Sequence, residues 1–112
     1  MLMRALIIKQ PWIDYILDGN KTWEIRGSNT NVRGEIELIQ SGSGLVVGKC
    51  KIIDCKELTL QEYKQSKAYH NIENRNNLPY KKTYAWILSD ATRYEAPRPY
   101  SHPKGAIIWV RL

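Results

Sequence analysis

Six stretches of the chain have the pattern of β-strands, either as a short apolar run or as an alternation of apolar and polar residues. The predicted strands cover residues 3–9, 22–26, 35–40, 45–54, 80–89 and 105–112. Gly48 interrupts the fourth of them, which is typical of a β-bulge. Because most of these strands follow one another closely in the chain, we expect hairpin pairing to dominate the sheet.

Two other segments have helical patterns. Residues 12–17 place apolar side chains four positions apart on adjoining parts of one face. Pro11 suits the first position of this helix, and Gly19 suits the left-handed position that follows a helix end. A capping box opens the second predicted helix, over residues 59–69. The core predicted from strands and helices includes Leu6, Ile8, Ile16, Ile25, Ile36, Leu38, Ile87 and Ile107.

Polar, turn-forming segments separate these elements. Residues 27–34 are a predicted loop, and the asparagine-rich residues 71–79 are predicted to form an exposed, mobile loop. Pro97, Pro99 and Pro103 exclude a regular helix or a central strand from the segment that contains them. The 112 residues contain no repeat and no linker, so we predict one α+β domain. Its expected architecture is a small mixed β-barrel of five to six strands with two or more short helices.

Ionisable and hydroxylated side chains are concentrated in the second predicted strand. By alternation, Thr22, Glu24 and Arg26 share one face of this strand, and the apolar residues between them point into the core. Lys21 lies at the strand entrance, where it can reach over the same polar face. Side chains of these types can bind a polar ligand or perform acid–base chemistry. The alternative is a solvated strand whose charges pair with their neighbours.

Charge and composition narrow the classes of partner. Seventeen Lys and Arg residues against eleven Asp and Glu residues give a net charge of +6, which favours polyanions such as RNA, DNA or nucleotides. Four Trp and seven Tyr without any Phe suit both a core and a base-stacking surface. No apolar run is long enough for a membrane span, and residues 1–4 are too short for a signal peptide, so a cytoplasmic protein is expected. Cys50 and Cys55 are predicted to be reduced thiols, and neither a metal nor a cofactor is expected.

Two motifs, in this order, give the chain a family resemblance. Ile8-Lys9-Gln10-Pro11-Trp12, followed by Gly19-Asn20-Lys21-Thr22-Trp23-Glu24-Ile25-Arg26, resembles the ASCH (activating signal cointegrator homology) domain family. The family's hallmark is a glycine and a lysine, then a glutamate and an arginine two residues apart, after a short helix that begins at a proline. Later features extend the resemblance over nearly the whole chain: Gly34 at a strand start, Val47-Gly48, Tyr84-Ala85-Trp86-Ile87-Leu88, Pro97, Pro99, and Gly105 before a strand with Trp109.

The resemblance implies a PUA-like β-barrel over residues 1–112, with a cleft beside the first helix and the strand from Lys21 to Arg26 as its floor. Members of the family are described as RNA-binding or coactivator-like domains. One subgroup of small bacterial proteins is similar and hydrolyses the acetyl amide of N4-acetylcytidine. Its proposed catalytic set is a lysine, a threonine three residues later and a distant glutamate.

That catalytic set is only partly present in this chain. Lys21 matches the lysine, but Glu24 occupies the threonine position. Thr22 cannot simply replace the threonine, because it lies about 7 Å back along the strand. The distant acid would be one of three residues, Glu62, Glu73 or Glu95.

Three classes of function follow from the sequence. The leading interpretation is a single-domain module that binds RNA or a modified nucleoside in a basic cleft. A small hydrolase is the alternative, either an amidohydrolase of N4-acetylcytidine-type nucleosides or a ribonuclease, with Lys21 and Glu24 as candidate catalytic residues. A protein-interaction adaptor would instead show an exposed apolar patch. The candidate ligand-binding residues are Lys9, Gln10, Trp12, Lys21, Thr22, Glu24, Arg26, Arg33 and Trp86, of which Lys9, Arg26 and Arg33 are the expected phosphate contacts.

Overall fold

The computed structural model describes residues 3–112. Met1 and Leu2, which belong to the N-terminal segment judged too short for a signal peptide, lie outside the described residues. In chain order its elements are β1 (Arg4–Ile8), α1 (Trp12–Leu17), β2 (Trp23–Arg26), β3 (Gly34–Gln40), β4 (Leu45–Glu57), α2 (Leu60–Gln65), α3 (Lys67–His70), β5 (Tyr84–Pro99) and β6 (Trp109–Arg111). The α+β class predicted from the sequence is confirmed. No helix within the described part of the chain has the length and apolarity of a membrane span.

The six strands form one sheet in the order β2-β5-β4-β3-β1-β6. β1 and β3 are parallel, and the other neighbouring pairs are antiparallel. Since β2 and β6 are the edges of this order, the sheet within residues 3–112 is not closed, and the expected barrel is open at one seam. A side chain links the two sides of the opening: Arg26 Nη2 on β2 donates a hydrogen bond of 2.8 Å to the carbonyl oxygen of Ile7 on β1.

Most of the predicted core is buried. Six of its eight members have an exposed fraction of 8% or less: Leu6, Ile8, Ile16, Ile25, Ile36 and Leu38. Ile87 is only partly buried. The prediction for Ile107 is wrong, because its side chain is 81% exposed. β6 begins only at Trp109, and residues 105–108 form turns and bends in which side chains do not alternate as in a strand.

The packing of α1 on the sheet depends on Gly48 of β4. A Cβ atom at Gly48 would lie 2.6 Å from Leu17 Cδ2 and 2.5 Å from the carbonyl oxygen of Thr92. The register between β4 and β5 shifts between Val46 and Gly48, as the bulge prediction required. Gly19 follows α1 with a φ of +84°, which confirms its role after the helix end. The absence of a side chain at Gly48 therefore lets the helix and β5 approach the strand closely.

Other element boundaries also differ from the sequence prediction, and β4 continues three residues further, to Glu57. The second predicted helix is divided at Ser66 into α2 and α3. β5 begins at Tyr84 and continues through Pro97 and Pro99, where we expected an interruption. β2 pairs only with residues 84–87 of β5, so the proline-containing part has a paired neighbour on one side alone. Proline is tolerated on such an edge, and the exclusion of a central strand holds.

Candidate functional site

A cleft of about 610 Å³ opens beside α1, with β2 as its floor. The loop after α3 forms a large part of its wall. Its lining residues are Ile7, Lys9, Trp12, Lys21, Glu24, Ile25, Arg26, Ser41, Tyr63, Ile72, Asn74, Asn77, Leu78, Pro79, Tyr80 and Ile107. The cleft therefore combines apolar walls with a few ionisable and amide side chains, as small-ligand sites do.

Lys21 is buried at one end of this floor, with only 2% of the residue exposed. Its Nζ donates a hydrogen bond of 2.6 Å to the carbonyl oxygen of His70. The same nitrogen lies 4.0 Å from Glu24 Oε1 and 5.0 Å from the centroid of the Trp12 ring. The alternative of a solvated strand does not hold at Lys21, because α3 and Trp12 cover this side chain.

The carbonyl group that holds Lys21 is itself fixed by the imidazole of His70. Nδ1 of this ring accepts a hydrogen bond of 3.0 Å from the N–H of Ile72, so the proton lies on Nε2. Nε2 donates across 2.7 Å to the carbonyl oxygen of Tyr63, and the two rings stack with centroids 4.7 Å apart. Burial lowers the pKa of His70 below its usual value. A neutral, fully buried imidazole therefore sets the position of the Lys21 acceptor.

Glu24 and Arg26 form a close ion pair beside Lys21. Glu24 Oε2 accepts hydrogen bonds from Arg26 Nε at 3.0 Å and lies 2.9 Å from Arg26 Nη2. The Arg26 guanidinium also stands 5.5 Å from the centroid of the Trp86 ring. Arg26 is hydrogen-bonded to Oε2 of Glu24, and the other oxygen, Oε1, faces Lys21. Oε1 can therefore accept a hydrogen bond from a ligand. The strand alternation predicted for Glu24 and Arg26 is confirmed, but Glu24 is 5% exposed rather than solvated.

Burial changes the acidity of Lys21. Desolvation lowers the pKa of its ammonium from 10.5 to about 8, although Glu24 raises the pKa and Arg26 lowers it further by smaller amounts. At neutral pH the side chain is mostly a cation, with a minor fraction of free amine. Lys21 can therefore donate hydrogen bonds to a ligand and, in its neutral form, accept a proton.

The structure brings five of the nine predicted ligand-binding residues to the cleft: Lys9, Trp12, Lys21, Glu24 and Arg26. Gln10 and Thr22 are exposed but do not line it. The other two point elsewhere. Arg33 donates to the carbonyl oxygen of Thr30 at 2.9 Å, because the loop after β2 turns back towards β4. Trp86 is buried, and its Nε1 donates across 2.9 Å to the carbonyl oxygen of Ser28.

None of the three candidate distant acids lines the cleft. Glu62 closes the capping box of α2, with its Oε1 accepting from the N–H of Thr59 at 2.9 Å. Glu73 pairs with Lys67 at 2.7 Å, and Glu95 is exposed on β5. Among the described residues that line the cleft, Glu24 supplies the carboxylate. No group of three or more His, Cys, Asp or Glu residues within 3–112 is placed to hold a metal ion.

Sequence reasoning missed the wall that residues 72–80 provide. Residues 71–79 were predicted to form an exposed loop and Tyr80 to begin a strand. Instead, Ile72 and Leu78 pack against the buried cluster that contains Trp23 and Tyr63, and β5 begins only at Tyr84. Its amide and aromatic side chains face the cleft at Asn74, Asn77 and Tyr80. The apolar residues within an otherwise polar stretch were the one available signal, since the loop has no periodicity.

One comparison with known proteins identifies a family, and another identifies solved structures with the same fold. Residues 6–98 match the family model of the ASCH domain. The crystal structure of ASCH from Zymomonas mobilis superimposes with a TM-score of 0.75 at 13% identity, covering 98% of this chain and 87% of that chain. Crystal structures of two mutant proteins of ZmASCH from the same organism give TM-scores of 0.73 and 0.74 at 12% identity, covering 98% of this chain and 87% and 89% of theirs. No curated protein matches the sequence.

Proposed function

Because the chain belongs to the ASCH domain family, we propose that its cleft binds single-stranded RNA or a modified nucleoside. The observation that carries this proposal is the position of Lys21, which lies under the Trp12 ring and beside the open oxygen of Glu24. A donor, an acceptor and an aromatic ring thus meet at one end of the cleft. Unpaired bases are recognised through such stacking and through hydrogen bonds to their edges.

The burial of these charges supports a role beyond holding the strand in place. Removing a lysine and a glutamate from water has an effective cost of several kcal/mol for each ion, and an apolar pair of similar volume is often at least as stable. Lys21 has one hydrogen bond to the protein, and its nearest approach to Glu24 is 4.0 Å. An ammonium has three donors. Binding a polar ligand would use the remaining donors.

The charges of the lining suit a nucleic acid. Lys9, Lys21 and Arg26 line the cleft together with one carboxylate, that of Glu24. The whole chain carries a net charge of +6, which attracts polyanions over a longer range. Each phosphate that such cations neutralise on a single strand should steepen the logarithmic salt dependence of the affinity by about 0.7.

A hydrolase remains the alternative because burial lowers the pKa of Lys21 to about 8. A lysine with this pKa can exchange protons near neutral pH, and Glu24 is close enough to share that task. The reaction would be hydrolysis of an N4-acetylcytidine-type amide or of RNA. Glu24 stands where the amidohydrolase subgroup has its threonine, so its catalytic set is not transferred as a whole.

Fluorescence anisotropy with a labelled single-stranded RNA, repeated over a series of salt concentrations, tests the proposal. We expect micromolar affinity at low salt and a loss of about 1.5 to 3 kcal/mol for Lys21→Met, the range for hydrogen bonds to charged groups. Lys64→Met is the matched control, since Lys64 is exposed on α2 and does not line the cleft. Folded protein that fails to bind at low salt, or equal effects of both variants, would refute the proposal.

N4-acetylcytidine, incubated with the protein and followed by mass spectrometry, separates binding from hydrolysis. Retention of the intact nucleoside supports the binding role. Release of cytidine and acetate supports the amidohydrolase. The same assay with the RNA reveals strand cleavage.

A further inference from the structure

Tyr80 lies directly against the backbone of Gly27, the residue that follows β2. A Cβ atom at Gly27 would be 2.8 Å from Tyr80 Cδ1 and 3.1 Å from Tyr80 Cγ. Real Cβ atoms do not approach a ring this closely, so any larger residue at position 27 must displace the tyrosine. Glycine at this position therefore allows the Tyr80 ring to sit at the end of the cleft floor.

The backbone of Tyr80 is held in place while its ring stays open to solvent. Its N–H donates to Thr83 Oγ1 at 3.3 Å, and the Thr83 hydroxyl donates to the Tyr80 carbonyl oxygen at 3.0 Å. Thr83 is fully buried, whereas Tyr80 is 46% exposed and lines the cleft. An exposed aromatic ring on a fixed backbone is well suited to stacking, because little conformational freedom is lost on binding.

Tyr80 and Trp12 lie towards opposite ends of the cleft floor. Trp12 contacts Lys21, before β2 begins, and Tyr80 contacts Gly27, after β2 ends. Lys21 and Gly27 are six positions apart, but the ammonium of Lys21 reaches forward to within 4.0 Å of Glu24 Oε1. The remaining three extended positions, from Glu24 to Gly27, span about 10 Å. The paired side chains of Glu24 and Arg26 lie between these two points. The two rings are therefore placed to contact different parts of a ligand.

We infer that the ligand of this cleft is a strand of at least two nucleotides, with one base at Trp12 and Lys21 and a neighbouring base stacked on Tyr80. This inference rests on the proposed function and adds a ligand length and a further binding residue to it. The linking phosphate would lie above Arg26, whose guanidinium is partly exposed between the two ends. Stacking on aromatic side chains is tolerant of sequence, because every base presents a flat face.

The inference is tested with ligands of increasing length: uridine monophosphate, the dinucleotide UpU and the trinucleotide UpUpU. Calorimetry measures the affinity of each ligand for the wild type, for Tyr80→Ala and for Tyr80→Phe. We expect UpU to bind the wild type more tightly than the mononucleotide. Tyr80→Ala should weaken UpU and UpUpU by roughly five- to 150-fold, the range for one stacked base, and leave the mononucleotide unchanged. Tyr80→Phe keeps the ring and should keep the affinity.

A double-mutant cycle with Gly27 tests the contact itself. In the protein that retains Tyr80, Gly27→Ala should weaken UpU binding, because the added methyl group displaces the Tyr80 ring. In the Tyr80→Ala background the same substitution should have no further effect. Circular dichroism checks that Gly27→Ala is folded. If it is not, the affinities of the wild type and Tyr80→Ala for the three ligands test the inference without the cycle.

Equal affinity for the mononucleotide and UpU in the wild type would overturn the inference and leave the proposed function standing. The inference is also wrong if Tyr80→Ala weakens all three ligands equally or none of them. Failure of all three ligands to bind the folded wild type at low salt would overturn both the inference and the proposed function.

Discussion

The ammonium group of Lys21 is joined to the main-chain carbonyl group of His70 by a hydrogen bond of 2.6 Å, across 49 positions of sequence. The bond ties the entrance of β2 to the end of α3. It also orients Nζ beneath Trp12 and beside Glu24. Lys21, the residue on which the proposed ligand contacts centre, is thus also part of the packing between two elements, and its substitution should be visible in stability as well as in binding.

The pH dependence of stability should reveal the buried ammonium. The pKa of Lys21 is about 8 in the folded protein and 10.5 at its reference value, so the unfolded chain binds more protons between these two values. The free energy of unfolding contributed by Lys21 therefore rises as the pH increases from 8 to 10.5, on the order of 2 kcal/mol over two pH units. Below pH 8 both states are protonated and the contribution is constant.

Urea unfolding of the wild type and Lys21→Met at several pH values from 7 to 10 measures this effect. The difference between the two proteins removes the opposing contributions of Cys50 and Tyr94, whose pKa values burial raises to about 12. Wild-type stability should increase relative to Lys21→Met above pH 8. A difference that stays constant from pH 7 to 10 would show that Lys21 is not desolvated.

His70→Ala should destabilise the fold although no cleft atom is removed. The substitution leaves the N–H of Ile72 without its acceptor and removes the imidazole donor from the Tyr63 carbonyl oxygen, which keeps the N–H of Ser66 at 3.4 Å. An unsatisfied buried donor costs about 1 to 3 kcal/mol, so we expect a loss of at least that size in the free energy of unfolding. Denaturant unfolding at pH 7 measures it. His102→Ala is the control, since that histidine is exposed. A loss no larger than that of the control would contradict the role given to the imidazole.

The sequence identified the polar face of β2 because alternation is a local property. Glu24 and Arg26 share a face in the structure as they do in the pattern. The burial of Lys21 was not predictable in this way, because it depends on α3, a partner 49 residues away. Arg33 was misplaced because its guanidinium bonds within its own loop, to the carbonyl oxygens of Thr30 and Val32, and lies 3.8 Å from Asp54 on β4.

The wall of the cleft was the least predictable part. Residues 72–79 have no periodic pattern, and their position depends on the packing of Ile72 and Leu78 against Tyr63 and its neighbours. The division of the second helix at Ser66 likewise has no clear signal in the sequence. By contrast, the capping box at Thr59 and the bulge at Gly48 were predictable, since each follows from the chemistry of one or two residues.

Gly48→Ala tests how α1 is seated on the sheet. The added methyl group would meet the Thr92 carbonyl oxygen at 2.5 Å and Leu17 Cδ2 at 2.6 Å. Leu17 can shift, but the backbone of β5 cannot move without breaking its pairing with β4. We expect a loss of about 1 to 3 kcal/mol from overpacking, measured by thermal or urea unfolding. Unchanged stability would mean that β4 and β5 are not this close at Gly48.

Glu24→Gln separates a binding site from a catalytic one. Glutamine keeps an oxygen that can accept from a ligand, so a binding site should lose affinity only modestly. A catalytic carboxylate loses its capacity for proton transfer, which typically lowers the rate by roughly a hundredfold or more. We would measure the affinity for RNA and the rate of N4-acetylcytidine hydrolysis on the same preparation and compare both with the wild type. The variant should retain the wild-type unfolding transition to be informative, because Glu24 also pairs with Arg26.

The most direct test of the cleft as the RNA site is an NMR titration of the ¹⁵N-labelled protein with a short single-stranded RNA at low salt. The indole N–H of Trp12 and the amides of Lys21, Glu24 and Tyr80 should shift with a common binding curve. The indole of Trp23 serves as the internal control, since it does not line the cleft. Shifts confined to residues outside the cleft, or no shifts in the folded protein, would contradict the proposal.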